Sequence, residues 1–452
     1  MRCRSILLAA SSLAWLALLS SAEQRPHYGG SLRIAVRETP QALDPASLAA
    51  SGSANISRLM FEALVRLDES GRPQPLLASS WQSEPGNQRW RISLRDGVSF
   101  SDGFPLDASS VVASLRGSNP DWKVMAVEEM VMIETPKPEP DLPAELALPR
   151  NAIVHHAGGK LLGTGPFSAG DWAAGKRVSL QANDQHWRGR PFLDAIEIAF
   201  AVPDREQLLA LDLGKADIVE IASENVRRAK ADGRTVLSSE PAELLALVFA
   251  NDARSDDEAR ARNALASILD RNALGDFVMQ GGGEPTAALL PNWLSGYAFV
   301  FPAAGQSDRA SQERAQSRHL SSWTLAYDLS DPVAHVIADR VLLNARDAGI
   351  SIQLVSSGAA DIRLARIPLE SSDPDLALSQ LAAALQLPPP KFNSDSVADL
   401  YTAEKGLLQS RRLIPLLHLR GAIAARANVR DFGMLPDGTW QLSNVWLAPE
   451  KQ

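Results

Sequence analysis

The chain is almost without cysteine: its only one is Cys3, between Arg2 and Arg4. These residues precede a short apolar run, Ile6 to Leu19, which the small residues Ser20, Ser21 and Ala22 close. A positive start, an apolar run and small residues in that order predict a secretory leader, cleaved after Ala22. Cys3 leaves with the leader, so disulfides, zinc–cysteine sites and a thiol nucleophile are excluded from what remains. No cysteine follows the apolar run for a lipid to acylate. The run is shorter than the ~20 residues a membrane-spanning helix needs, and no later stretch is long and apolar enough. The expected product is a soluble protein, free in the periplasm.

Other absences narrow the function. There is no basic run, and losing Arg2 and Arg4 takes the formal charge from −8 to −10. Such a chain is a poor partner for nucleic acid or anionic lipid. It has no repeat of fixed period and no long low-complexity tract. Enzyme signatures are missing: there is no G-x-S-x-G elbow and no H-E-x-x-H helix. Gly163-Thr164-Gly165 has neither the later glycine of a dinucleotide loop nor the lysine of a phosphate loop, and Gly281-Gly282-Gly283 reads as a flexible turn. His155 and His156 are adjacent, so their side chains diverge on a strand; His27, His186, His319, His335 and His418 are dispersed. No catalytic residue, metal set or cofactor is predicted. A hydrolase assembled from residues far apart in sequence stays open as an alternative.

What is present is regular α/β alternation over about 430 residues, enough for two or three lobes. Leu32, Ile34 and Val36 alternate with polar or small neighbours as in a half-buried strand, as do Trp90, Ile92 and Leu94. Ile56, Leu59, Met60, Ala63 and Leu64 recur at helical spacing. Asp204, with Gln207 three residues on, predicts a capped helix start. The acidic start Asp256–Glu258 precedes the apolar stripe Ala261, Ala264, Leu265, Ile268. A helix over Val333–Ala348 is expected to stop at Gly349. Two proline-rich segments, around Pro136–Pro143 and at Pro388–Pro390, read as surface connections.

Several segments, in order, resemble family 5 of the bacterial extracellular solute-binding proteins. Arg89 to Leu115 carries an LR-x-G-V-x-F-x-D-G-x-P pattern at Leu94, Arg95, Gly97, Val98, Phe100, Asp102, Gly103 and Pro105. Pro75 to Trp81 reads P-x-L-A-x-x-W, Leu161–Trp172 resembles the GTGPF…W segment, and Asn183 to Ile198 resembles N-x-x-Y/H-W-x-G-x-P-x-L-D-x-I. Gly214 and Asp217 sit in an A-L-x-x-G-x-x-D element. The glycines and tryptophans of these motifs suit scaffold work, turns and core area, rather than ligand contact. The chain departs from the family in three places: 117–160 and 283–322 are trimmed, and Ser101 stands where many relatives have histidine. The first trimming implies that a small extra subdomain is nearly absent.

The resemblance implies a two-lobed α/β periplasmic-binding-protein fold of type II-like topology, with the ligand cleft between lobes. Lobe I is expected over 27–250 plus 413–452 and lobe II over 251–412, with crossings near Asn251 and Leu413–Leu419. The implied activity is capture of a small solute, a peptide or related amine-bearing compound, by hinge closure without catalysis. The implied partners are an inner-membrane ABC permease and its ATPases, with the binding protein itself a monomer. A receptor or scaffold that keeps the fold without uptake is the alternative of another class. In peptide-binding relatives an aspartate shortly before a D-P-D-like segment often anchors the peptide amine, and a glutamate, which reaches farther, stands in its place here. Here Asp373-Pro374-Asp375 resembles that segment and Glu370 holds the anchoring position.

Overall fold

The structure is a computed structural model that describes residues 25–40, 42–47, 52–303, 322–356, 359–392 and 396–449. The expected leader, its cleavage after Ala22, and His319 lie outside the described residues.

Strand β1 (Ser31–Ala35) opens the first lobe, with Leu32 and Ile34 buried. The chain then runs through helix Gly52–Met60 into a hairpin of β2 (Val65–Leu67) and β3 (Pro73–Pro75). Next come β4 (Ala78–Ser83), β5 (Arg89–Leu94), β6 (Lys123–Val127) and β7 (Met130–Glu134), an antiparallel sheet in the order β4-β5-β7-β6. Helix Ala108–Ser118 packs on it. Asp107 caps that helix by accepting from Ser110 N, and Ser110 Oγ accepts from Asp107 N. Trp90, Ile92, Val111, Leu115, Val131 and Ile133 bury together with Leu142 and Ile153. The segment 117–160 is therefore short but not lost. It completes a subdomain with its own core, which corrects the expected near-absence. One helix face on one sheet face is enough to close a small core. Pro143 is buried in that core region, whereas Pro136, Pro138 and Pro140 are exposed as expected.

Hairpin β8 (His155–Ala157) and β9 (Lys160–Leu162) leads back to β10 (Phe167–Ala173), β11 (Arg177–Ala182) and β12 (Ala195–Ala199). β12 runs parallel to β1, with Leu32 beside Ile196, and β13 (Ile218–Glu220) runs parallel on the other side. Leu180, Ile196, Ile198 and Ile218 join Leu32 and Ile34 in the first lobe's core. Helix Asp204–Asp212 begins one residue earlier than a cap at Asp204 requires. Pro203 is its N-cap; Gln207 instead donates to Val202 O and accepts from Glu220 N, so it fastens the helix to β13.

The long strand β14 (Thr235–Phe249) carries the chain into the second lobe, and an equally continuous strand brings it back. Between them lie β15 (Gly283–Pro285), β16 (Ser322–Ala326), β17 (Ser351–Val355) and β18 (Ile362–Pro368); the returning strand is β19 (Leu413–Ala425). β14 and β19 pair antiparallel along their length. Alternation divides β14 cleanly: Leu245, Leu247 and Phe249 enter one core with Leu265, Leu325 and Val341, while Leu244 and Ala246 enter another with Leu378, Leu381 and Leu407. Leu413, Ile414, Leu416 and Leu417 belong to these same cores. The expected crossings near Asn251 and Leu413–Leu419 thus fall inside the second lobe's packing. The register of the pair shifts between Ser238, Pro241 and Glu243, opposite Arg420 and Leu419. The exchange of cores happens there.

Helix Ala334–Asp347 ends before Gly349, whose φ of +68° makes it the expected left-handed cap. The three glycines at 281–283 are not a loose turn. A Cβ on Gly282 would lie 2.2 Å from Ser223 O, and Gly283 pairs with Leu419. Only a residue without a side chain permits that approach.

Candidate functional site

A cavity of about 420 Å³ lies where the crossing strands meet both lobes. Arg37 and Glu38 reach it from just beyond the carboxyl end of β1, and Glu220 from the carboxyl end of β13. Ser239, Glu243, Arg420 and Gly421 contribute from β14 and β19. Arg366 and Pro368 come from β18, with Leu369 and Glu370 directly after it. Leu148, Pro149 and Arg150 form the wall on the subdomain side. Asn55 and Arg58 of helix Gly52–Met60 complete it, together with the hairpin around Asp437–Trp440. Asn55 pins that hairpin, donating to Gly438 O at 3.2 Å and accepting from Trp440 N at 2.9 Å.

The wall is charged in both signs. Arg366 lies between two carboxylates, with Nε 2.9 Å from Asp331 Oδ2 and Nη1 3.2 Å from Glu243 Oε2. Arg420 likewise joins Glu240, at 3.0 Å, and Glu284. Arg58 donates to Thr439 Oγ1 at 2.8 Å. Arg37 Nη1 is 3.9 Å from Asp204 Oδ2, and its backbone N–H donates to Glu220 Oε2 at 2.7 Å. Burial pushes the Glu220 carboxyl up to about 7, against the opposing pull of that N–H. Burial also raises Glu243, in spite of Arg366 beside it.

Glu370, expected from sequence as an anchor, stands on this wall with its side chain 34% exposed. Arg150 Nη1 is 3.9 Å from Glu370 Oε2, while the same guanidinium bonds Glu145. Burial raises the Glu370 carboxyl, and Arg150 offsets part of this. The D-P-D segment after it is a helix start: Asp373 accepts from Leu376 N at 2.9 Å, and Pro374 occupies the first turn of helix Pro374–Ala384. The segment thus fixes where the Glu370 loop leaves β18.

The motif residues lie elsewhere and build scaffold. A Cβ on Gly163 would meet Met60 O at 2.0 Å, and one on Gly165 would meet Leu59 O at 2.6 Å. Thr164 and Trp187 both donate to the buried Glu62 carboxylate, at 2.9 and 2.8 Å. Asp217 binds Arg33 through two bonds and so ties β13 to β1. The described histidines are also away from the wall: His155 stacks on Phe104, and His418 is buried against Leu289 O. Among the described residues no group of three or more His, Cys, Asp or Glu could hold a metal ion.

Most of the charged wall went unnoticed in the sequence. A signal for part of it was there: in open α/β sheets ligands gather beyond the carboxyl ends of strands. Arg37, Glu38 and Glu220 occupy such places next to strands that the alternation identifies.

Two α/β lobes on a pair of crossing strands, with a charged cavity at the crossing, define the class: a two-lobed binding-protein fold. Residues 72–396 match the bacterial extracellular solute-binding proteins, family 5 (middle). The chain belongs to that family. It is 25% identical over 243 residues to the nickel-binding protein NikA of Staphylococcus aureus, an alignment covering 50% of this chain and 49% of the relative. It is 24% identical over 314 residues to the oligopeptide-binding protein OppA of Bacillus subtilis, covering 59% and 57%. The matches thus span about half the length of these curated relatives. The structure of the oligopeptide-binding protein AppA of Bacillus subtilis, in complex with a nonapeptide, superposes with a TM-score of 0.78 at 17% identity, over 94% of this chain and all of that one. Among the described residues no helix is long and apolar enough to cross a membrane.

Proposed function

We propose that the chain captures a small solute between its lobes and presents it to an ABC importer without transforming it. The observation that carries this reading is the cavity of about 420 Å³ at the crossing strands, walled by both lobes and by charges of both signs. Those strands join separate cores, so a solute touching both sides favours the closed arrangement over the open one. Lobe I, expected over 27–250 plus 413–452, then ends at Ser238–Glu243 and resumes at Leu419–Gly421, and lobe II is the chain between those two junctions, on the packing described above. A cavity of this volume falls in the range of small-molecule sites, ~300–1,000 Å³, which suits a dipeptide or an amino-acid derivative. Relatives named for peptide and for nickel support the class of activity and leave the ligand to the cavity. Glu370 accepts the solute's amine, replacing its long contact with Arg150 by a charge-assisted hydrogen bond. The protein works as a monomer in the periplasm, after cleavage at Ala22, with an inner-membrane permease and its ATPases.

A thermal-shift screen of dipeptides, amino-acid derivatives, sugars and nickel chelates tests this. A true ligand at 100 times its dissociation constant adds about 2.7 kcal/mol of stability, and mass spectrometry recovers it intact. A converted product would make the chain an enzyme instead.

A further inference from the structure

We infer that the subdomain is a clasp: it grips the Glu370 loop of the second lobe through contacts among protein groups alone, and so closes the lobes ahead of the solute. The inference rests on the proposed capture reading and adds an order of events to it.

Three contacts make the grip. Leu376, in the first turn of helix Pro374–Ala384, is only 9% exposed because it packs with the buried Ala144 and Leu148 and against Leu67. Three of these four residues belong to the subdomain, and Leu376 belongs to the second lobe. They form an apolar cluster of their own, apart from the larger cores on either side. Beside it the β2–β3 turn sets Gly71 against Ser372 O, so closely that a Cβ would lie 2.2 Å away. Arg150 Nη1 is 3.9 Å from Glu370 Oε2.

Each surface is shaped by its own lobe before the two meet. Asp68 accepts from Ser70 N at 2.9 Å and from Arg72 N at 3.0 Å, which holds the turn from within. Opposite it, Ser371 Oγ accepts from Asp373 N at 3.0 Å, and Asp373 caps the helix that carries Leu376. Glu145 fixes Arg150 from the subdomain side. Surfaces ordered in advance lose little freedom when they join. The ion pair is long, so the apolar contact dominates: parting the lobes here returns Leu376 and Leu148 to water.

Gly71, Ser372 and Leu376 do not line the cavity, so no solute is needed to complete their contacts. Leu148, Pro149, Arg150, Leu369 and Glu370 do line it, directly in front of the clasp. A solute therefore meets an end wall that already stands, and its affinity carries the fraction of chains in which the clasp is shut.

The test is small-angle scattering on the mature protein, stripped of solute by dialysis from urea, with Ala-Ala as the probe. Wild type should have the same radius of gyration with and without saturating Ala-Ala. Leu376→Glu breaks the apolar contact, while a carboxylate in the first turn suits the helix start. Without solute this variant should be more extended than wild type. It should also bind Ala-Ala about ten-fold more weakly, as a chain shut one-tenth of the time must. Circular dichroism checks that its lobes are folded, and Leu376→Ala replaces it if they are not. A wild type that contracts on binding Ala-Ala, or a solute-free variant with the wild-type radius, overturns the clasp and leaves solute capture standing. If Ala-Ala does not bind, the solute-free pair alone decides the clasp, and it is the dipeptide ligand that falls.

Discussion

Gly71, in the β2–β3 turn of the subdomain, faces the backbone carbonyl of Ser372 so closely that a Cβ would lie 2.2 Å from the oxygen. Ser372 follows Glu370 by two residues, so the turn of one lobe rests on the loop that carries the candidate anchor of the other. The contact needs glycine twice over, for its space and for its φ of +75°.

Gly71→Ala should therefore push the turn away from Ser372. The left-handed backbone alone costs an alanine about 1 kcal/mol, and the lost contact adds to this. With ligand bound, small-angle scattering should give a larger radius of gyration than wild type, and affinity should fall about five- to tenfold. An unchanged radius and affinity would show that the turn plays no part in closure.

Glu370→Gln keeps the shape of the side chain and removes its charge. The group is about one-third exposed, so solvent weakens what a fully buried pair would give. An amine-bearing ligand should lose about 1–3 kcal/mol of affinity, and a matched ligand without the amine should lose little. Equal losses for both ligands would count against contact with the amine.

How much of this was legible in the sequence differs from residue to residue. The alternation around Leu32 and Ile34 identified β1, and Gly349 marked a helix end, because both are local effects of burial and backbone freedom. The crossings were displaced because Leu413 to Leu417 look like any apolar strand. Which core they enter depends on a pairing with β14 that no local pattern reveals. The subdomain was expected to be nearly absent because its core draws on Leu64 and Ile153, far apart in the chain. Glu370 was visible through the D-P-D helix start that follows it. Glu220 was not, since a single carboxylate ending a three-residue strand carries no local sign of the cavity it lines.

His418 gives a pH dependence whose sign is fixed. It is buried on β19, with Nε2 3.0 Å from Leu289 O, and burial lowers its pKa to about 4 from an ordinary 6.5. Between those values the unfolded chain takes up a proton that the folded chain refuses, so stability falls as pH drops from 6.5 towards 4. The loss amounts to about 3 kcal/mol at 1.36 kcal/mol per pKa unit. Glu220 acts in the opposite sense: its raised carboxyl makes the folded state gain stability as pH falls from about 7 to 4.5. The informative measurement is thus the difference between wild type and His418→Gln in urea unfolding at pH 7 and pH 4.5. The variant should lose less stability over that interval; equal losses would mean His418 is protonated in the folded protein.

Glu404 fastens the region beside the crossing strands, and it offers the sharpest stability test. It lies on helix Val397–Gln409 with no exposed surface. Its carboxylate accepts from Leu289 N, from Leu290 N at 3.2 Å, and from Tyr297 Oη at 2.6 Å. Burial raises the carboxyl, and these three donors offset part of that. The segment held this way also carries Trp293, whose Nε1 donates to Pro241 O at 2.7 Å, where β14 changes register. Glu404→Ala removes the acceptor and leaves two backbone N–H groups and a phenol buried without partners. At about 1–3 kcal/mol for each unsatisfied group, less what water recovers on relaxation, the loss should be about 3 kcal/mol. Glu404→Gln keeps one acceptor oxygen and sheds a buried charge, so it should cost about 1 kcal/mol. Urea unfolding measures both, and Trp293 adds a local readout, because its emission should shift to the red in the alanine variant if its bond to Pro241 loosens. An alanine variant within 0.5 kcal/mol of wild type would mean that the 286–297 segment is held by packing alone.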